Sequence, residues 1–256
     1  MPAGRATLGA FRGEIPFGWD NEHPRMAVDV RAFEIDRFDV TNREFLEFVD
    51  ADGYANRQWW SADDWAWREK ERVEHPLYWK RDGERWRWRA MFDDPELPLS
   101  WPVYVSQAEA SAFAKWRGRR LPTEAEFHRA AYGTPDGAER AFPWGDDAPD
   151  FTRANVDMRR WDPVPVGSFP EGRSVWGIDD LLGNGWEWTS TPFSGFPGFS
   201  PDPLYAPYST DFFDGRHFVM KGGSPATAEG LLRRSFRNWF QPHYPYVYAG
   251  FRCVSQ

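Results

Sequence analysis

LLGNGWEWTSTPF, running from Leu181 to Phe193, is the stretch that constrains the fold most tightly. Gly183 and Gly185 allow a tight turn, and Asn184 between them can bond to its own backbone. Beyond the turn Trp186 and Trp188 alternate around Glu187, so an extended segment packs both indoles on one face and sends the carboxylate to the other. A carboxylate buried in that way needs donors or a cation. Two partners meet the need. One is an arginine; the other is a structural Ca²⁺ held by Glu187 together with loop oxygens at Asn184 and Gly185, since this hard ion takes about six to eight oxygens.

Outward from this stretch, the 256 residues include 16 Trp, 21 Phe and 9 Tyr, with 22 Gly and 22 Pro. Mass is therefore concentrated in rigid rings and sharp turns, a poor composition for a helix bundle, and the length suffices for a core without disulfides. With 31 basic against 39 acidic side chains the net charge is −8, which opposes attraction to phosphate backbones and anionic lipid. Nucleic acid and membrane are not expected partners. No apolar run approaches the ~18 residues that span a bilayer, and the opening MPAGRATLGAFRGEIPF lacks the pattern of a signal peptide, so a cytoplasmic location is expected. The single cysteine, Cys253, reads as a small buried hydrophobe.

Three segments begin with a Thr or Ser followed three residues later by Glu, the grammar of a capping box: Thr41 to Glu44, Ser106 to Glu109 and Thr123 to Glu126. They predict helices starting near Asn42, Gln107 and Glu124. Short apolar runs such as FEID, VPVGSF and HFVMKGG have strand length. Residues 50 to 105 and 190 to 215 show no clear period, yet their aromatic content argues for ordered irregular loops over disorder. The charged stretch from Trp67 to Met91 reads as a solvated excursion, within which WKRDGERWRW suits a hairpin turning at Asp82-Gly83. No repeat or polar linker divides the chain, so a single domain over 1–256 is expected.

The five histidines, His23, His75, His128, His217 and His243, have no local ligand spacing. Nor is there a Walker motif, a dinucleotide fingerprint or a nucleophile elbow. His128 reads as a surface or satisfied core residue, while His23 and His243 fall in turn-like, aromatic-flanked loops. The C-terminal block is the densest in functional raw material. There Arg233, Arg234 and Arg237 stand near Asn238, Trp239, His243, Tyr244, Tyr246 and Tyr248, a mixture able to bind a carboxylate and a substituted ammonium together. A small zwitterion is the matching partner. The alternative is that Arg237 and Arg252 are internal struts for irregular loops.

LGNGWEWT, RLPTEAEF, KGGS followed by RSFRN, and the terminal GFRCV together resemble the formylglycine-generating-enzyme/sulfatase-modifying-factor superfamily, over nearly the whole chain. The resemblance implies an α/β, irregular C-type-lectin-like fold with little regular secondary structure. True formylglycine-generating enzymes use a pair of cysteines before the last motif; here that segment reads FRNWFQPHYPYVYAG and has none. Within the superfamily, FGWDNEHPR, PVYVSQAEASAFAKW and SFRNWFQP look most like the C-terminal domain of iron-dependent ergothioneine-pathway sulfoxide synthases. Those enzymes join a thiol to a histidine betaine with O₂ at a non-haem iron whose three histidines lie in an N-terminal helical bundle, a segment not among these residues. The resemblance thus implies a substrate-binding domain or subunit, with Fe(II) supplied by a helical-bundle partner. It also implies that Asn238 and Trp239 contact the amino-acid end of the betaine, and the composition of the C-terminal block adds His243 and Tyr246 as further candidates. Relatives often carry Asp after that Asn-Trp pair, where this chain has Phe240. A non-catalytic ligand- or protein-binding module on the same fold is the alternative.

Overall fold

The computed structural model describes all 256 residues. The helices are α1 (Asn42–Asp50), α2 (Ala62–Glu71), α3 (Gln107–Trp116) and α4 (Glu124–Tyr132), besides one turn at Pro207–Thr210. α1, α3 and α4 start where their capping boxes predict. In each, the hydroxyl of Thr41, Ser106 or Thr123 accepts from the amide three residues on, and the Glu there accepts from the cap amide. α2 was not expected, because its stretch reads as irregular. Its cap is Ser61, which accepts from the Asp64 amide at 3.1 Å, so a shorter acid stands where the other three carry Glu. No helix is long and apolar enough to cross a membrane.

In chain order the strands are β1 (Gly4–Leu8), β2 (Met26–Val30), β3 (Glu34–Ile35), β4 (Trp79–Asp82), β5 (Arg85–Trp88), β6 (Gly185–Pro192), β7 (Phe218–Gly223), β8 (Asn238–Phe240), β9 (Ala249–Gly250) and β10 (Val254–Ser255). They form three two-stranded pairs, β1-β2, β3-β10 and β4-β5, and a four-stranded sheet in the order β8-β7-β6-β9. FEID and HFVMKGG supply β3 and β7 as expected, whereas VPVGSF forms turns. β6 is central, antiparallel to β7 and parallel to β9, and its first five residues are buried on both faces.

The main core gathers α1, α3, the hairpin and β6 around stacked rings. Phe45 and Phe113 lie parallel with centroids 5.3 Å apart, and Phe251 meets both edge-on. WKRDGERWRW is indeed a hairpin, and the excursion around it is largely exposed as expected, but two buried indoles anchor it. Trp79 and Trp88 are opposite one another across β4 and β5, both fully buried, and the Trp79 indole donates to Asn42 Oδ1 at 3.1 Å. Two indoles together outweigh the charged residues around them, because burying each removes so much apolar surface from water.

The Gly183-Asn184 turn leads into β6 with both residues at positive φ, 83° and 65°. Asn tolerates this region better than other side chains. Its amide does not bond to its own backbone. It accepts from Val164 N at 2.9 Å, donates to Val164 O at 3.0 Å and meets Asn155 Nδ2 at 3.2 Å, which ties the 155–164 loop to the sheet.

Candidate functional site

The residues of the C-terminal block fall into two groups, the arginines that hold the fold and the candidate ligand-binding residues that the sequence singled out. Arg252 belongs to the first. Its Nε and Nη2 donate to the two oxygens of Glu187 at 2.6 and 2.7 Å, and Nη2 also reaches Asp39 Oδ1 at 3.2 Å and the Asp179 carbonyl at 3.1 Å. All three side chains are fully buried. Burial and the adjacent Glu187 push the Asp39 carboxyl well above its usual range. Burial alone would lower the Arg252 pKa, but the carboxylates around it outweigh that and raise it. A cation already lies against both oxygens of Glu187, and the Asn184 side-chain oxygen already accepts two bonds. The calcium expectation at Glu187, Asn184 and Gly185 is therefore corrected: these residues do not fit a second cation, and the arginine alternative is what forms.

Arg237 is likewise a strut. It bonds Glu124 at 3.0 Å and the carbonyls of Asn21 and Ser194, with its guanidinium over the rings of Phe193 and Phe196. Arg233 is bidentate to buried Glu22, and Arg234 reaches Glu139 at 3.3 Å, so neither is a free carboxylate donor as the sequence suggested. His128 is fully buried beside Glu139 at 3.3 Å, without hydrogen-bond geometry, and burial lowers its pKa. It is a core residue but not a satisfied one. His23 is buried as well, with Nδ1 on the Ala10 carbonyl at 2.8 Å.

The second group lies along and beyond the open edge of the sheet. Asn238 and Trp239 are in β8, opposite Met220 and Val219, so they belong to an edge strand rather than to an exposed loop. Asn238 Oδ1 accepts from the Trp239 amide at 2.9 Å, and its Nδ2 has no partner in the chain. Trp239 stacks on Phe193 at 4.1 Å and 6°, with Tyr208 edge-on and Phe212 tilted against it, both at 5.6 Å. Neighbouring residues on a strand point to opposite faces. The two are thus adjacent in position but present different faces. Phe240 stacks on Tyr244 at 4.6 Å.

His243 and Tyr246 stand apart from that pair, beside α2. His243 stacks on Trp67 with centroids 4.7 Å apart and 1° between planes, and its Nε2 lies 2.7 Å from Asp64 Oδ1. Burial pushes the Asp64 carboxyl up, but hydrogen bonds from His243 and Ser61 outweigh it and hold the pKa below the ordinary value. The imidazole separates two clefts. One, of about 420 Å³, also has Tyr246, His75 and Glu109 in its wall; the other, of about 650 Å³, has Asp64, Gln107 and Arg216. Asp64 and Trp67 are the site residues that sequence reasoning missed. The Ser61-to-Asp64 spacing was the one signal that could have found them.

The sulfatase-modifying factor enzyme 1-like domain matches residues 1–256. The chain belongs to that family. This member of the sulfatase-modifying-factor family is 43% identical over 262 residues to hercynine oxygenase of Mycolicibacterium smegmatis, an alignment covering 99% of this chain and 60% of the relative. It is 42% identical to hercynine oxygenase of Mycolicibacterium thermoresistibile, covering 97% and 56%. The chain thus spans under two thirds of the length of these relatives. Among solved structures, PvdO from Pseudomonas aeruginosa superposes with a TM-score of 0.65 at 20% identity, over 99% of this chain and 92% of PvdO, which shows the shared α/β fold of low regular secondary structure. The only thiol of this family member, Cys253, is buried, and burial pushes its pKa up.

Proposed function

We propose that these residues form the substrate-binding portion of a non-haem-iron, O₂-dependent sulfoxide synthase that joins a thiol to a histidine betaine in ergothioneine-type biosynthesis. The observation that carries this reading is the likeness to hercynine oxygenases along nearly the whole chain. Asn238 and Trp239 at the open sheet edge lend it chemical support. On one face of the strand the free Nδ2 of Asn238 is a donor for a carboxylate, and on the other an indole already backed by Phe193 can face a methylated ammonium, so a betaine that uses both sits across the strand edge.

The five histidines of this chain do not gather with one another or with acidic side chains into a group of three that could hold a metal ion. The ligands are accordingly assigned to a helical-bundle portion or partner subunit. The part of this chain is to bind and orient the betaine, with His243 and Tyr246 lining the adjoining cleft.

Calorimetry with trimethylhistidine, on the chain joined by its helical-bundle partner, tests the reading. Trp239→Leu is expected to weaken binding about 2- to 30-fold, the range that a cation–π contact of ~0.5 to 2 kcal/mol gives. Equal binding by the variant would move the pocket elsewhere. No binding by either chain or complex would leave the non-catalytic binding module as the better account.

A further inference from the structure

Beside β9, at the opposite edge of the sheet from β8, four rings touch one another. Tyr78 stacks on Trp88, and Tyr104 and Tyr248 close the group, with every neighbouring pair of centroids 5.6 to 5.7 Å apart. Over these rings lies a cavity of about 170 Å³, walled on its other side by Met91, Trp161 and Asp162. Trp161 is 46% exposed and carries Phe92, 78% exposed, edge-on at 5.7 Å. A space this small admits a compact head group, not the ligands that occupy ~300 to 1,000 Å³.

Three polar groups share this cavity. The Asp162 carboxylate, partly withdrawn from water, is approached by the Met91 amide and the Trp88 indole, and no basic side chain acts on it. The buried Trp88 indole N–H has no other acceptor. Exposed Arg89 lines the same cavity, and no side chain or carbonyl accepts from its guanidinium. Asp162 thus has hydrogen-bond donors but no counter-cation, and Arg89 makes no ion pair, so an aromatic wall flanked by an acid and a cation carries charges complementary to a zwitterion.

We propose that this cavity binds a short betaine, its methylated ammonium against Tyr78, Tyr248 and Trp161 beside Asp162, and its carboxylate reaching Arg89. Ring faces and a nearby carboxylate favour a weakly hydrated cation over a neutral group of equal shape. The site is separate from the edge at Trp239 and does not rest on the function proposed there.

The test compares glycine betaine with its uncharged-head isostere 3,3-dimethylbutanoate, and choline with 3,3-dimethylbutan-1-ol. Binding is read by calorimetry and tryptophan fluorescence in both the wild-type and the Trp239→Leu chains. In each pair the ammonium compound is expected to bind at least about fivefold tighter. The isosteric Asp162→Asn and the surface change Trp161→Leu should each weaken betaine and choline about fivefold or more, with melting temperatures confirming that both variants fold. Arg89→Ala should weaken glycine betaine alone, which separates a zwitterion site from a simple cation site. Equal binding of the isosteres, binding that survives Asp162→Asn and Trp161→Leu, or binding lost only in Trp239→Leu would each overturn the proposal.

Discussion

Glu187 illustrates how much one residue depends on a partner far along the chain. Its carboxylate is buried between two indole-bearing neighbours, and the guanidinium that neutralises it comes from Arg252, 65 residues away. Removing one member of such a pair strands the other charge in a dry site, a cost of about 3 to 5 kcal/mol. Asp39 remains 3.2 Å from Arg252 and can take over part of the compensation, so the lower end is expected for Glu187→Ala. Chemical denaturation in EDTA and in excess Ca²⁺ checks this. The loss should be the same in both, and a loss that grows when calcium is removed would restore an ion to the site.

At the scale of the element, α2 connects a cap to a candidate site. Ser61 caps the helix and also donates to Asp64, whose other partner is His243. The Asp64 pKa is lower folded than unfolded, so its contribution to stability is fully present above the ordinary carboxylate pKa of ~3.9. It is lost as pH falls through the depressed folded value. His243→Gln removes one of the groups that lower it. The stability lost on the acid limb should therefore be smaller in His243→Gln than in the wild type, with the two curves converging as pH falls below about 3.9, and a difference that does not change with pH would show that the Asp64 to His243 bond does not persist in solution. Ser61→Ala should cost about 1 kcal/mol as a lost cap. The three capping boxes with Glu were legible because each is a local contract between a hydroxyl, a carboxylate and two amides. α2 was not, because its cap uses Asp and its apolar residues Trp65 and Trp67 are set among charges.

For the whole molecule, the sheet encloses a charge that a protein interior rarely tolerates. Lys221, in β7 directly opposite Glu187, is fully buried, and burial lowers its pKa to about 8 despite Glu124 at 3.9 Å. Its ammonium donates to the carbonyls of Arg234 and Phe236, thereby fixing the segment that leads into β8. Below about pH 8 the lysine is charged in both states and the folded state bears the full cost; between about 8 and the unfolded value of ~10.4 the folded state releases its proton first and that cost is relieved. Burial raises Tyr54, Tyr104 and Cys253, which pulls alkaline stability the other way in any variant. The informative quantity is thus the difference between wild type and Lys221→Met. Wild type should gain relative to the variant as pH rises from about 8 to 10, and a flat difference would mean that Lys221 stays ionised by a route the fold does not show.

What the sequence determined by itself was local or compositional. Capping boxes set three helix starts, the Asp82-Gly83 signal set a hairpin, and alternation around Glu187 set a strand with its indoles inward and its carboxylate buried. One cysteine, in the GFRC ending, left no pair of thiols along the chain, and the density of rings spoke against a helix bundle. Only the tertiary structure decided which charges are used up. Arg233, Arg234, Arg237 and Arg252 look alike along the chain, yet each is spent on a particular acid brought from 95 to 211 residues away, or 65 in the case of Glu187. It also divided Asn238 and Trp239, on an edge strand, from His243 and Tyr246, beside a helix the sequence did not announce. The reason is physical: backbone preferences act over a few residues, whereas the partner of a buried charge is chosen by where the chain returns.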